Sequence, residues 1–183
     1  MAAEIVRLEE NLTIAQAMTP EELCLRFATQ IRQFANLVAR GTSEGDDIAQ
    51  EALLKAIRSL ASYKPESGEI EGWLWRIVTN TANDFSRSRI RRLRLAFKLG
   101  IWVDNTASSI EEIALKKESS RELRVALGRL SYRDRALLAM RYGLDMEVQV
   151  IAQATGLSPS AASKGIQRAL LRLKSKISGD VNV

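Results

Sequence analysis

The chain has 183 residues, with 27 Lys and Arg against 22 Asp and Glu, no His and one Cys. Without His there is no His-based acid–base chemistry, no Ser–His or Cys–His pair and no His-containing zinc site, and a single Cys forms no intrachain disulfide. Its 46% apolar and 27% charged residues describe an ordinary globular chain, no apolar run approaches the ~18 residues of a membrane span, and the start, MAAEIVRLEE, lacks the apolar stretch of a secretory signal. The expectation is a soluble cytoplasmic chain, long enough for one mid-sized domain or two small ones. Three prolines and few strand-like alternations make it all-α.

Residues 4–18 form a weak amphipathic helix with Ile5, Leu8 and Leu12 on one side. Thr19, Pro20 and Glu22 start the next: Thr19 caps, Pro20 suits the first helical position and Glu22 completes a capping box. That helix runs to about residue 39 and buries Leu23, Phe27, Ile31, Phe34 and Val38, with Cys24 a small buried residue on it. Residues 41–45, Gly-Thr-Ser-Glu-Gly, read as a breaker. From Asp46 to about residue 61, Ala49, Ala52, Leu53, Ala56, Ile57 and Leu60 recur at helical spacing and face the core. Asp47, Gln50, Glu51, Leu54, Lys55 and Arg58 lie opposite. An isolated exposed Leu usually means nothing, but Leu54 among Asp47, Gln50 and Glu51 also suits the apolar centre of a docking patch.

Residues 63–68 read as a loop. A long helix follows over about 71–95, with Leu74, Ile77, Val78, Thr81, Ala82 and Phe85 inward and Trp73 and Trp75 at its start. Residues 98–109 read as a linker. A helix over 110–130 is anchored by Ile113, Leu115, Leu123 and Leu127. Three short helices then span roughly 131–142, 147–155 and 159–177. In the stretch Ile151–Leu157 a small residue packs inside the first helix, Gly156 makes the turn, and Ser158 with Pro159 starts the second. This is helix-turn-helix spacing, whose second helix enters the DNA major groove.

The net charge of +5 hides an asymmetry. Residues 85–98 hold Arg87, Arg89, Arg91, Arg92, Arg94 and Lys98, and residues 157–177 hold Lys164, Arg168, Arg172, Lys174 and Lys176, with no acid in either stretch. Everything else is net acidic. A solvated helix face explains one such stretch; two of them, each closing a helical domain, fit two contacts with a polyanion.

These residues resemble the bacterial extracytoplasmic-function sigma factors of the sigma-70 family, which give RNA polymerase its promoter specificity. Asp46 and Asp47 with Gln50, Glu51 and Leu54 resemble the helix that the family docks on the clamp of the largest polymerase subunit. Tyr63, Pro65, Glu66 and Gly68, followed by Trp73-Leu74-Trp75-Arg76-Ile77, Asn80 and Asp84, resemble the segment that holds the unwound −10 strand. The resemblance implies −10 contacts from Trp73, Arg76, Asn80, Asn83, Arg87, Arg91 and Arg92, and −35 contacts from Ser160, Ser163, Lys164, Gln167 and Arg168 on the recognition helix. Two departures stand out. Glu69 and Glu71 occupy positions where the family often has Ser and Arg, and Gly165 interrupts the recognition helix at a cost of about 1 kcal/mol.

The expected organisation is an extension over 1–20, a region 2-like domain over 21–96, a linker over 97–118 and a region 4-like domain over 119–178. The −10 and −35 elements lie roughly 80 Å apart at about 3.4 Å per base pair, and about 25 linker residues at ~3.3 Å each span that distance. Such a linker leaves the two domains loosely oriented in the free chain. The resemblance implies a non-enzymatic factor with no cofactor and no metal, whose partners are core RNA polymerase, promoter DNA and an anti-sigma protein. The alternative is a helix-turn-helix regulator that binds duplex operator without polymerase; it leaves the Asp46–Leu54 stripe and the Trp-rich helix unexplained.

Overall fold

Helix α1 (Pro20–Val38) starts where its cap chemistry places it. Thr19 Oγ1 accepts from the Glu22 N–H at 3.2 Å and Glu22 Oε2 accepts from the Thr19 N–H at 2.9 Å, closing the expected capping box. The computed structural model describes residues 18–39, 42–64, 69–99 and 118–178. The expected helix over 4–18 (save Met18), the loop residues 65–68 and the linker with Ile113 and Leu115 lie outside them. The remaining elements are α2 (Thr42–Ser59), a 3-10 turn (Leu60–Ser62), α3 (Ile70–Lys98), α4 (Glu118–Gly128), α5 (Tyr132–Leu138), a π-helical turn (Ala139–Gly143), α6 (Val148–Thr155) and α7 (Pro159–Ser178). Among the described residues there is no strand, and no helix is long and apolar enough to cross a membrane.

Helix α2 begins before Asp46 and takes in Ser43, Glu44 and Gly45, correcting the breaker expected there. A Cβ on Gly45 would stand 3.1 Å from Cα of Asn36. Gly45 is therefore where α2 crosses α1 at backbone distance, and the glycine serves packing instead of ending a helix. The inward face of α2 is Ile48, Ala49, Ala52 and Ala56, with Leu53 and Ile57 only half-buried. Small residues there let α1, α2 and α3 approach closely. Their shared centre is Trp75, fully buried and edge-on to Phe34 with ring centroids 5.6 Å apart. Trp75 thus belongs to the inner face of α3, which the heptad-like spacing alone did not assign. Cys24 is half-buried, and Leu123 on α4 is 42% exposed, so Leu130 and Ala126 anchor that segment instead.

The two halves are not loosely tethered. One apolar core runs from Leu23, Phe34, Ile48 and Trp75 through Leu137, Met140, Ile151, Ala152 and Ile166. A smaller cluster of Ala126, Leu130, Leu138, Ala169 and Leu173 joins α4 and α5 to α7. Polar contacts cross the same boundary. The buried Arg135 donates through Nε to Val38 O at 3.1 Å and through Nη1 to Leu130 O at 2.7 Å. Its charge lies at the C-terminal end of α1, where a cation is favourable. Gln33 Nε2 donates to Gly143 O at 2.9 Å. The expectation of free relative orientation fails because linker length measures only reach, whereas burying apolar area on both halves sets their arrangement.

The face assignment has a direct test. Trp75→Ala should cost about 3–5 kcal/mol, as truncating a buried aromatic does. Leu54→Ala, at a side chain 46% exposed, should stay within about 0.5 kcal/mol of the parent. Urea unfolding of the two variants measures both.

Candidate nucleic-acid interface

The helix-turn-helix forms from local chemistry. Gly156 takes φ +69°, a left-handed conformation that favours glycine. Leu157 N–H then donates back to Ala152 O at 2.9 Å, the closing bond of a Schellman end to α6. Ser158 Oγ accepts from the Ala161 N–H at 3.2 Å and caps α7. Ala162, Ile166, Ala169 and Leu173 turn α7 inward. Ser160, Lys164, Gln167 and Arg168 lie exposed on its other side, and Ser163 is half-buried at the margin. Gly165 also finds its reason here: a Cβ on it would meet Leu137 Cδ1 at 3.0 Å, so the glycine lets α7 settle on α5.

The basic run on α7 divides. Arg172 Nη1 donates to both carboxylate oxygens of Asp134 at 2.9 Å, and Asp134 is held in turn by Ser131 Oγ at 2.8 Å. Arg172 therefore ties α7 to α5, while Lys164, Arg168, Lys174 and Lys176 face outward. On α3, Arg87, Arg91, Arg92 and Arg94 are exposed, and Arg89 pairs with Glu44 of α2 at 4.0 Å.

The other residues expected on the −10 segment are divided between engaged or half-buried side chains and an exposed Asn80. Trp73 is half-buried, its ring tilted against Tyr63 at 5.4 Å. Arg76 donates through Nε and Nη2 to Gln153 O at 3.2 and 3.1 Å. Thr79 Oγ1 donates to Ala154 O at 2.9 Å, and Tyr132 Oη donates to Thr79 O at 2.8 Å. Asn80 is exposed and Asn83 half-buried. Gln153 and Ala154 stand in the last turn of α6, whose carbonyls lack intrahelical donors; Arg76 and Thr79 supply them from α3. The sequence reading missed Gly72, Thr79, Tyr132 and Gln153. Only Gly72 carried a signal, as a glycine in the first turn of a strong helix. Glu69 and Glu71 are both half-buried at that same helix start.

The five residues expected to dock polymerase share one side of α2. Asp47, Gln50 and Leu54 are exposed. Asp46 accepts from Arg32 Nε at 2.9 Å and Glu51 pairs with Lys55 at 3.5 Å. Such surface pairs are worth about 0–1 kcal/mol and yield readily to another partner. Among the described residues no group of three or more His, Cys, Asp or Glu could hold a metal.

Burial pushes the Tyr132 phenol up from its ordinary value near 10. The protonated phenol is the donor to Thr79 O, so this contact should be whole below about pH 10 and weaken as pH rises through the higher folded-state value. Tyr132→Phe should cost about 0.5–1.5 kcal/mol at neutral pH and flatten the loss of stability on the alkaline side. Urea midpoints between pH 7 and 11 measure both effects.

Comparison with known proteins places these parts. A family model described as Sigma-70 region 2 matches residues 23–92, and one described as Sigma-70, region 4 matches residues 120–173. The RNA polymerase sigma factor SigV of Bacillus subtilis (strain 168) is 29% identical over 125 residues, 68% of this chain and 70% of that protein. The ECF RNA polymerase sigma factor SigE of Mycolicibacterium smegmatis is 35% identical over 78 residues, 42% of this chain and 30% of that protein. In fold, the chain is similar to the sigma factor RpoE in its complex with the anti-sigma factor NepR from Bartonella quintana. That match has a TM-score of 0.66 at 19% identity and covers 86% of this chain and 96% of that one.

Proposed function

We propose, for a chain that belongs to the extracytoplasmic-function group of the sigma-70 family, that it binds core RNA polymerase in the bacterial cytoplasm and directs initiation at promoters with −10 and −35 elements. It is a non-enzymatic factor on this reading. The observation that carries it is the exposed stripe of Asp47, Gln50 and Leu54 on α2, because a helix-turn-helix alone would serve any DNA-binding regulator. In this reading the α2 stripe meets polymerase and α3 holds the unwound −10 strand. The outer side of α7 reads the −35 duplex. An anti-sigma protein is the proposed regulator, by analogy with the RpoE complex.

The exposed residues divide by what they are able to read. Arg91 and Arg92 near the end of α3 suit phosphates, which position a strand without reporting its sequence. Lys164 and Arg168 share one side of α7, with Gln167 beside them. Bidentate Arg–guanine or Gln–adenine contacts in the major groove each discriminate by about 1–3 kcal/mol.

Two measurements test this reading. Leu54→Ala should weaken capture of core polymerase while leaving the folded stability close to the parent; core binding unchanged by Leu54→Ala and by Glu51→Lys would remove α2 from the interface. In transcription from a randomised −35 library, Gln167→Ala or Arg168→Ala should change which sequences are preferred. Arg91→Ala with Arg92→Ala should weaken all promoters alike and flatten the salt dependence, since fewer counterions are released. The reverse pattern would move the −35 reader off α7.

A further inference from the structure

Arg172 spends one nitrogen on its tie to α5: Nη1 donates to both oxygens of Asp134 at 2.9 Å. By covalent geometry Nη1 lies on the side of the guanidinium that faces its own Cδ. Nε and Nη2 form the opposite edge, a pair of parallel N–H donors whose spacing matches two oxygens of one phosphate. Those two nitrogens make no bond among the described residues, and the side chain is 59% exposed. The carboxylate behind it is fixed. The Asp134 side chain is only 10% exposed. Ser131 Oγ donates to it at 2.8 Å and accepts from the Asp134 N–H at 3.2 Å. The open edge of Arg172 is therefore held in place from the inside. Its surroundings are cationic. Arg168 lies one turn before it and Lys176 one turn after, both exposed, and residues 157–177 hold no acid.

We propose that Arg172 is a phosphate anchor for the −35 duplex, oriented by Asp134, and that it seats α7 on the DNA without reading sequence. This rests on the assignment of α7 to the −35 duplex. On that assignment Lys164, Gln167 and Arg168 reach base edges. Arg172 stands about 6 Å beyond Arg168, at ~1.5 Å per residue along the helix. The major groove is about 12 Å wide, so a helix that reads bases with its first turns meets the flanking backbone with the next. Charge selects a phosphate as the occupant, because the outward side of α7 offers cations alone. An exposed arginine ordinarily loses rotamer freedom when it binds. Here Asp134 and Ser131 have removed that freedom before DNA arrives. Asp134 also offsets part of the arginine's charge, so its service is geometric. The two effects have opposite signs. Removing a carboxylate beside DNA strengthens attraction through charge, whereas removing an orienting group weakens the contact.

The test uses the full chain assembled with core polymerase. The probe is the most strongly transcribed duplex from the randomised −35 library. Arg172→Lys offers one nitrogen, enough for Asp134 and none for a phosphate. Its urea midpoint should stay with the parent, while its promoter affinity should fall about tenfold. The slope of log affinity against log salt should shrink by about one. The order of preferred −35 sequences should not change. Asp134→Asn still accepts from Ser131 and leaves Arg172 free to turn; affinity should fall about threefold despite the lost negative charge. Single methylphosphonates along the −35 duplex then locate the contact. One position should weaken the parent about tenfold and leave Arg172→Lys unaffected. Parental affinity in Arg172→Lys overturns the anchor, and so does the absence of any such position. Tighter binding by Asp134→Asn overturns the orienting role. A changed −35 preference in Arg172→Lys makes Arg172 a base reader and overturns the proposal as well. If Gln167→Ala and Arg168→Ala leave the preference unaltered while the methylphosphonate result holds, base reading moves off α7 and the phosphate anchor stands.

Discussion

The last turn of α6 ends in carbonyls that its own helix does not satisfy, and the structure answers them with side chains from α3. Arg76 and Thr79 lie in the N-terminal third of a helix whose C-terminal part carries an Arg tract. Satisfying those carbonyls brings the first helix of the helix-turn-helix down onto the region 2 bundle. Arg135 of α5, donating to Val38 O at the end of α1, and Gln33 of α1, donating to Gly143 O of the π-helical turn, complete the attachment. The continuous apolar core follows from that placement, since Ile151 and Ala152 of α6 reach the Trp75 layer only when α6 lies along α3.

Close packing of this kind depends on missing side chains as much as on those present. Gly45 lets α2 cross α1, Gly72 lets Gln153 rest on α3, and Gly165 lets α7 meet Leu137. Each glycine weakens its own helix by about 1 kcal/mol and is offset by the apolar contact that the approach permits. Gly156 differs, because its task is conformational: the left-handed turn between α6 and α7. The same four positions therefore shape both halves of the molecule and the surface between them.

Charge divides along similar lines. Arg135 and Arg172 are structural, one at a helix end and one on Asp134. Arg76 is engaged as well, donating to the Gln153 carbonyl at the end of α6. Arg87, Arg91, Arg92, Lys164 and Arg168 remain outward. The outward basic surface among the described residues is consequently narrower than a count of basic residues suggests, and it lies on α3 and α7.

Much of this was determined by sequence alone. The capping box at Thr19, the Schellman turn at Gly156, the cap at Ser158 and the polar stripe around Leu54 depend on neighbours a few residues away, so local pattern suffices to read them. The family motifs are legible for the same reason, since they occupy short segments of single helices. Four features were decided only by tertiary structure. Trp75 points inward because Phe34 receives it, Gly45 is helical because Asn36 passes close, Arg172 is occupied because Asp134 faces it, and Arg76 is engaged because α6 ends beside it. Each depends on a residue 9 to 77 positions away in the chain, and helical periodicity, which reports only which residues share a side, carries no information about what that side will meet.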